Sequence, residues 1–277
     1  MADENMIRLS GLRVLYGTFA AVDGLDLDIR RGELFGLLGP NGAGKSTTIR
    51  VLIGQRLPTA GGVTVGGFDV VRDWAKVKPL FGYVPDRENH FEEFTGRRNL
   101  EFFAQLYGVP RRRAADCLKL VELDEAGDLP VRGYSLGMRK KLLLARALLH
   151  EPPVLYLDEP TANLDIHSAE VVHRILRERV KHGATVILTT HDMDEVERIC
   201  DRVGIVCRGK LVALDVKKVL LADQAQCPST ASRLEMRTAA PHASGAIRSD
   251  AECLLLLCTH ALHSTDRWDL PLMDAGG

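Results

Sequence analysis

The sequence predicts an α/β protein built on a mostly parallel sheet covered by helices. Three observations carry this expectation. Short apolar runs of buried-strand type occur at Glu33–Leu38, Val154–Leu157 and Thr185–Leu188, the last two each followed by polar residues of functional type. Stretches of helical spacing alternate with them, among them Ser46–Gly54 and Met138–Leu149. A glycine-rich loop joins the first apolar run to the first of these helices.

Taken in chain order, residues 7–30 read as short β-like runs, Met6–Leu9, Arg13–Tyr16 and Leu25–Ile29, separated by turn-like Gly and Asp. After the first buried strand, loop and helix, Gly61-Gly62 and Gly66-Gly67 bracket Val63–Val65 as a hairpin strand. Leu80–Val84 reads as a further strand. The character changes over residues 87–130. Four of the eight phenylalanines, Phe91, Phe94, Phe102 and Phe103, fall within thirteen positions there, and Asn99–Tyr107 and Arg112–Glu122 have helical spacing. An inserted helical subdomain of about residues 87–145 is expected. From Asp223 onward periodicity fades, and the last 55 residues read as an irregular C-terminal tail at 223–277.

Composition narrows the function classes. The 277 residues carry 36 Lys+Arg against 37 Asp+Glu, a formal net charge of −1. That balance argues against a strongly basic nucleic-acid binder and against a polyacidic tail protein. With 45% hydrophobic and 26% charged residues the chain has ordinary globular composition. No apolar run approaches the roughly 20 residues of a membrane-spanning helix. The start, Met1-Ala-Asp-Glu-Asn5, lacks the basic-then-apolar order of a signal peptide, so a cytosolic location is expected. Six cysteines with no C-x-x-C pair then read as reduced, mostly structural thiols. In the tail, Cys253, Cys258, His260 and His263 fit no standard zinc spacing, and no metal is expected there.

The most specific motif is Gly39-Pro40-Asn41-Gly42-Ala43-Gly44-Lys45-Ser46-Thr47, which fits G-x-x-x-x-G-K-[ST] between a strand and a helix. A triphosphate is densely anionic and needs many donors at once. Glycines allow backbone N–H groups close approach and positive φ. The helix N-terminus adds partial positive charge. Lys45 is placed to reach the β/γ-phosphates, and the Ser46 hydroxyl to ligate Mg²⁺. Alone, the motif covers kinases, GTPases, helicases and transport motors.

Further on, Val154–Leu157 runs into Asp158-Glu159. The strand brings Asp158 to the C-terminal sheet edge, where ligands bind in such folds. Asp158 is a candidate Mg²⁺ holder. Glu159 points elsewhere and is a candidate proton acceptor for an attacking water.

In this order the motifs resemble the nucleotide-binding subunit of ABC transporters over about residues 5–215. Tyr134-Ser135-Leu136-Gly137-Met138 stands at the family signature, commonly Leu-Ser-Gly-Gly-Gln. Ala162–Asp165 resembles the loop that meets the partner subunit, and His191, after Val186–Thr190, the switch histidine. The resemblance implies the ABC ATPase fold: a P-loop NTPase core with mixed sheet, an N-terminal antiparallel β subdomain and the inserted helices, spanning residues 5–222. It implies ATP and Mg²⁺ as ligands, with Tyr16 stacking on adenine. It also implies that Ser135 and Gly137 close on the ATP of a second, head-to-tail subunit. By themselves Ser135 reads as a helix cap, His191 as a strand-end cap and Tyr16 as half-buried packing.

Two departures stand out. Asp86 follows Gly82-Tyr-Val-Pro85 where the family usually has Gln; it could touch Mg²⁺, but places negative charge beside a triphosphate, unless it is merely solvated. The signature carries Leu136 and Met138 at its third and fifth positions, while retaining Ser135 and Gly137. With no membrane span of its own, a transporter role requires separate integral-membrane permease subunits, a homodimer or heterodimer of ATP-binding subunits, and a peripheral place on the inner face of the cell membrane. In the family the aromatic stretch 91–107 receives the permease, and Phe102 and Phe103 are expected to divide between that contact and the subdomain's own core. The signature and the absence of a long folded extension look most like the drug, lipid or polysaccharide export group. Two alternatives are a soluble ABC-type ATPase acting on nucleic acid or ribosomes, and a nucleotide-binding regulator without turnover. Intact Lys45, Asp158, Glu159 and His191 weigh against the regulator.

Overall fold

Residues 5–30 form two long strands instead of several short ones. β1 (Asn5–Tyr16) and β2 (Phe19–Arg30) pair antiparallel along their whole length. The glycine that reads as a turn in sequence is absorbed as a bulge. Gly11 has φ 57°, the register shifts between Leu9 and Leu12, and its N–H donates to Asp26 Oδ1 at 2.7 Å. The structure is a computed structural model that describes residues 4–214. The expected tail and the boundary at 222/223 lie outside the described residues, as do the four Cys and His of its weighed metal motif.

β3 (Leu34–Leu38) is buried at every position, as its unbroken apolar run requires. α1 (Lys45–Leu52) follows the glycine-rich loop. β4 (Ala60–Val65) and the short β5 (Phe68–Asp69) complete a four-stranded antiparallel sheet of order β2-β1-β4-β5. A single turn, α2 (Trp74–Val77), precedes β6 (Phe81–Val84). The sequence pattern misses α2, because four residues are too few for periodicity to register.

The inserted helices are α3 (Gly96–Leu106) and α4 (Arg112–Leu120), leading to α5 (Leu136–Ala147). Thr95 caps α3, its side chain accepting from the Arg98 N–H at 3.1 Å. Buried Asn99 then donates to the carbonyls of Phe91 and Thr95 and accepts from the Phe91 N–H, tying the aromatic loop to the helix. Phe102 is exposed and Phe103 half-buried, with the Arg146 guanidinium 4.6 Å from the Phe103 ring centre.

β7 (Val154–Asp158), α6 (Ile166–Lys181), β8 (Thr185–Thr190), α7 (Met193–Ile199), β9 (Arg202–Cys207) and β10 (Lys210–Leu214) complete the described fold. The second sheet has the order β10-β9-β3-β8-β7-β6. Its pairs are parallel except β9–β10, so it is mixed, as expected. β3, β7 and β8 are wholly buried. Register pairs Asp158 with Thr189 and Leu38 with Thr190. The C-terminal ends of β3, β7 and β8 therefore emerge side by side, and the phosphate loop, Glu159 and His191 follow from that edge.

Candidate nucleotide site

Backbone sterics shape the loop between β3 and α1. A Cβ at Gly39 would stand 2.2 Å from the Val206 carbonyl oxygen, and one at Gly44 2.5 Å from that of Ala21. Gly44 also has φ 107°. Both positions therefore exclude a side chain. Gly44 caps α1 without any side-chain hydrogen bond, and the first turn of α1 holds no acidic residue. The helix thus presents its N-terminal N–H groups uncovered by an internal carboxylate.

Lys45 curls back over the loop it ends. Its buried Nζ donates to the Gly39 carbonyl at 2.6 Å and the Pro40 carbonyl at 3.3 Å, and lies 3.4 Å from Glu159 Oε1. Ser46 Oγ donates to Asp158 Oδ1 at 3.0 Å, and Thr189 Oγ1 donates to the same oxygen at 2.6 Å. The neighbouring carboxylates diverge because Glu159 turns sharply, with φ 49° and its N–H donating to the Thr189 carbonyl at 3.1 Å. Its other oxygen, Oε2, lies 2.9 Å from His191 Nδ1. That hydrogen bond raises the His191 pKa above 6.5, although partial burial opposes the shift. Glu159 is thereby held between the Lys45 ammonium on one side and an imidazole biased toward its cationic form on the other.

Tyr16, Phe19, Pro40 to Thr47, Arg50, Asp86 and Glu159 line one open cleft, with Gly39, Asp158 and His191 joined to it through the contacts above. Tyr16 ends β1 opposite Phe19 of β2, so the hairpin offers two aromatic rings, 40% and 63% exposed. The Arg56 guanidinium covers the Tyr16 ring at 4.6 Å. Sequence reading names Tyr16 and misses Phe19, since the pairing that brings them together is visible only in the register.

Ser135 and Gly137 do not line this cleft. Ser135 caps α5, accepting from the Met138 N–H at 3.2 Å, so the helix starts at Leu136, two residues earlier than the apolar pattern suggests. Gly137 faces the start of α6, where a Cβ would meet Ser168 Oγ at 2.5 Å. Asp165 caps α6 through the Ser168 N–H at 2.9 Å and hydroxyl at 2.7 Å. The signature and the loop after Glu159 are therefore packed together as one surface.

The charge of Asp86 is met by a residue that sequence reading does not single out. Lys140 Nζ lies 3.8 Å from the Asp86 carboxylate, and donates to the carbonyls of Asp86 and Glu159. A lysine on a helix carries no sequence signal for burial, so this contact is legible only in the fold.

Among the described residues no cluster of three His, Cys, Asp or Glu could hold a metal by itself. The Ser46 hydroxyl and Asp158 carboxylate, 3.0 Å apart beside the loop, nevertheless fit Mg²⁺. That ion takes one or two protein oxygens and completes its shell with phosphates and water.

Residues 22–162 match the ABC transporter family. The Nod factor export ATP-binding protein I of Ralstonia nicotianae is 38% identical over 226 residues, covering 80% of this chain and 70% of that protein. The linearmycin resistance ATP-binding protein LnrL of Bacillus subtilis is 37% identical over 216 residues, covering 76% and 70%. Among solved structures, a dimeric ATP-binding cassette in a post-hydrolysis state with ADP and Pi is 26% identical with a TM-score of 0.69, covering 76% of this chain and 97% of that one. With its mixed sheet, phosphate loop and paired carboxylates in the cassette arrangement, the chain belongs to the ABC transporter family, as an ATP-hydrolysing cassette of it.

Proposed function

We propose that this chain is the motor of an exporter, binding Mg²⁺–ATP in the cleft of one copy and closing on a second ATP-binding subunit. The observation that carries the reading is the Lys45–Glu159–His191 arrangement at the phosphate loop. The uncovered N-terminus of α1 and the loop N–H groups bind the phosphates. Lys45, already at the loop, exchanges its carboxylate contact for the β/γ-phosphates. Glu159, freed from Lys45, accepts a proton from the attacking water, and His191 orients it and faces the γ-phosphate. Tyr16 supports the adenine. Ser46 and Asp158 would hold Mg²⁺, which neutralises developing phosphate charge. Ser135 and Gly137, outside their own cleft, serve the nucleotide of the opposite subunit.

Both relatives named above carry export or resistance in their names, which supports the exporter direction. No helix among the described residues is long and apolar enough to cross a membrane. In this reading the permease is a separate integral-membrane partner, and the chain works peripherally on the cytoplasmic face, as a homodimer or heterodimer, with no nucleic-acid partner. The cassette is assigned residues 5–222, with helical subdomain about 87–145 and tail 223–277.

The test is ATP hydrolysis by the full chain, with Glu159→Gln as control, and identification of the membrane protein that co-purifies. Turnover abolished by Glu159→Gln with ATP-dependent pairing retained supports the motor. Failure of the Glu159→Gln protein to pair at saturating Mg²⁺–ATP, with no membrane mate able to pair it, refutes it.

A further inference from the structure

Lys140 lies in α5, the helix capped by Ser135, with its side chain only 5% exposed. Its Nζ donates to the Asp86 carbonyl at 2.9 Å and to the Glu159 carbonyl at 3.2 Å, with the Asp86 carboxylate 3.8 Å away. An ammonium carries three donors and no acceptor; two of them go to the carbonyls, and the Asp86 carboxylate faces the charge as an ion pair at 3.8 Å. Burying a lysine costs free energy unless its charge is met this way. The group joins three separate segments: the loop after β6, the residue after β7 and the signature helix. Glu159 is the member that most needs holding. Its φ of 49° is one that a non-glycine residue keeps only under restraint. The Thr189 contact restrains its N–H, and Lys140 restrains its carbonyl.

We propose that Lys140 is a positioning residue for hydrolysis, fixing the Glu159 backbone so that the carboxylate meets the water, and offsetting the Asp86 charge beside the phosphates. The two effects separate kinetically. Loss of the tether misplaces Glu159 and lowers kcat. Loss of the positive charge leaves Asp86 unopposed near a triphosphate and raises KM.

The proposal rests on Glu159 being the base, so Glu159→Gln accompanies every measurement on the full chain with Mg²⁺–ATP. Lys140→Met is expected to lower kcat by about tenfold or more, the scale of a misplaced catalytic group, and to raise KM. Adding Asp86→Asn to Lys140→Met returns KM toward the wild-type value and leaves kcat low. Lys140→Arg, which keeps charge and donors, retains most of kcat. Lys140→Gln is measured in parallel with thermal melts, so that unfolding of the methionine variant still leaves a kinetic readout from a neutral side chain. Wild-type kcat in a folded Lys140→Met or Lys140→Gln protein overturns the tether. A KM unmoved by Asp86→Asn in the Lys140→Met background overturns the charge offset. Full hydrolysis by Glu159→Gln overturns the base assignment itself, and Lys140's role with it.

Discussion

His191 Nδ1 and Glu159 Oε2 stand 2.9 Å apart, so in this arrangement the imidazole is engaged by the carboxylate proposed as the base. Glu159 raises the His191 pKa above 6.5. A raised pKa means that the folded state favours the proton. The small stabilisation this contributes is therefore complete below the unfolded value, and is lost as pH rises through the folded one. His191 is more than half exposed, so solvent screens the pair and the stability effect is slight. Titration of the imidazole by NMR without nucleotide is expected to give a midpoint above that of an unperturbed histidine. Glu159→Gln should move the midpoint down, and an unchanged value would show that the contact does not persist in solution.

Gly39 and Gly42 offer a contrast within one loop. A methyl at Gly39 meets the Val206 carbonyl at 2.2 Å, a backbone atom in β9 that cannot step aside. A methyl at Gly42 meets open space, although φ 78° disfavours any side chain there. Gly42→Ala should cost about 1 kcal/mol from the strained φ alone. Gly39→Ala should cost several-fold more and abolish ATP binding, because β9 must separate from the loop to admit the methyl. Chemical denaturation of the two variants, with nucleotide affinity for each, checks the order.

The phosphate loop and the Asp158-Glu159 pair are legible in sequence because their chemistry demands fixed residue types in a fixed setting, whereas His191 stands out only through the family resemblance and by itself reads as a strand-end cap. Long-range partners are not. Thr189, which donates to Asp158, becomes visible only when β7 and β8 are set in register. Lys140 reads as one more basic residue on a helix, and its burial follows from where β6 and β7 end. The N-terminal strands are longer than the sequence pattern suggests for a related reason. Gly11 breaks the apolar pattern locally, while the bulge it forms preserves the ladder.

Glu195 marks a buried polar junction behind the site. Its Oε1 accepts from Thr161 Oγ1 at 2.5 Å and lies 3.0 Å from His173 Nε2. Burial alone would raise its pKa, but the hydrogen bonds from His173, Thr161 and Thr190 prevail and lower it. The stability it contributes is therefore present above the unfolded value of about 4.5, and lost as pH falls through the lower folded value. Glu195→Ala leaves buried donors without an acceptor, and should destabilise the fold by about 2–4 kcal/mol. Thr161 lies two residues after Glu159, and Thr190 immediately precedes His191. Glu195→Gln should consequently lower kcat while leaving ATP affinity near wild type, as hydrolysis and equilibrium nucleotide binding would show.

Phe102 and Phe103 are adjacent, yet the fold gives them different work. Phe103 is half-buried, with the Arg146 guanidinium 4.6 Å from its ring centre and Phe91, Phe102 and Tyr107 around it. Phe102 packs edge-on against Phe91 and Phe103 but is 39% exposed, beside exposed Leu106 and Tyr107. Phe103→Ala removes the ring that Arg146 covers, and should cost about 2–3 kcal/mol, below the 3–5 of a fully buried aromatic. Phe102→Ala should cost about 1 kcal/mol or less and leave the hydrolysis rate of the isolated chain unchanged. If this aromatic face receives the permease, Phe102→Ala should instead weaken co-purification of the membrane partner and its stimulation of hydrolysis. Equal partner recovery with both wild type and Phe102→Ala would remove that residue from the coupling surface, whatever the effect on stability.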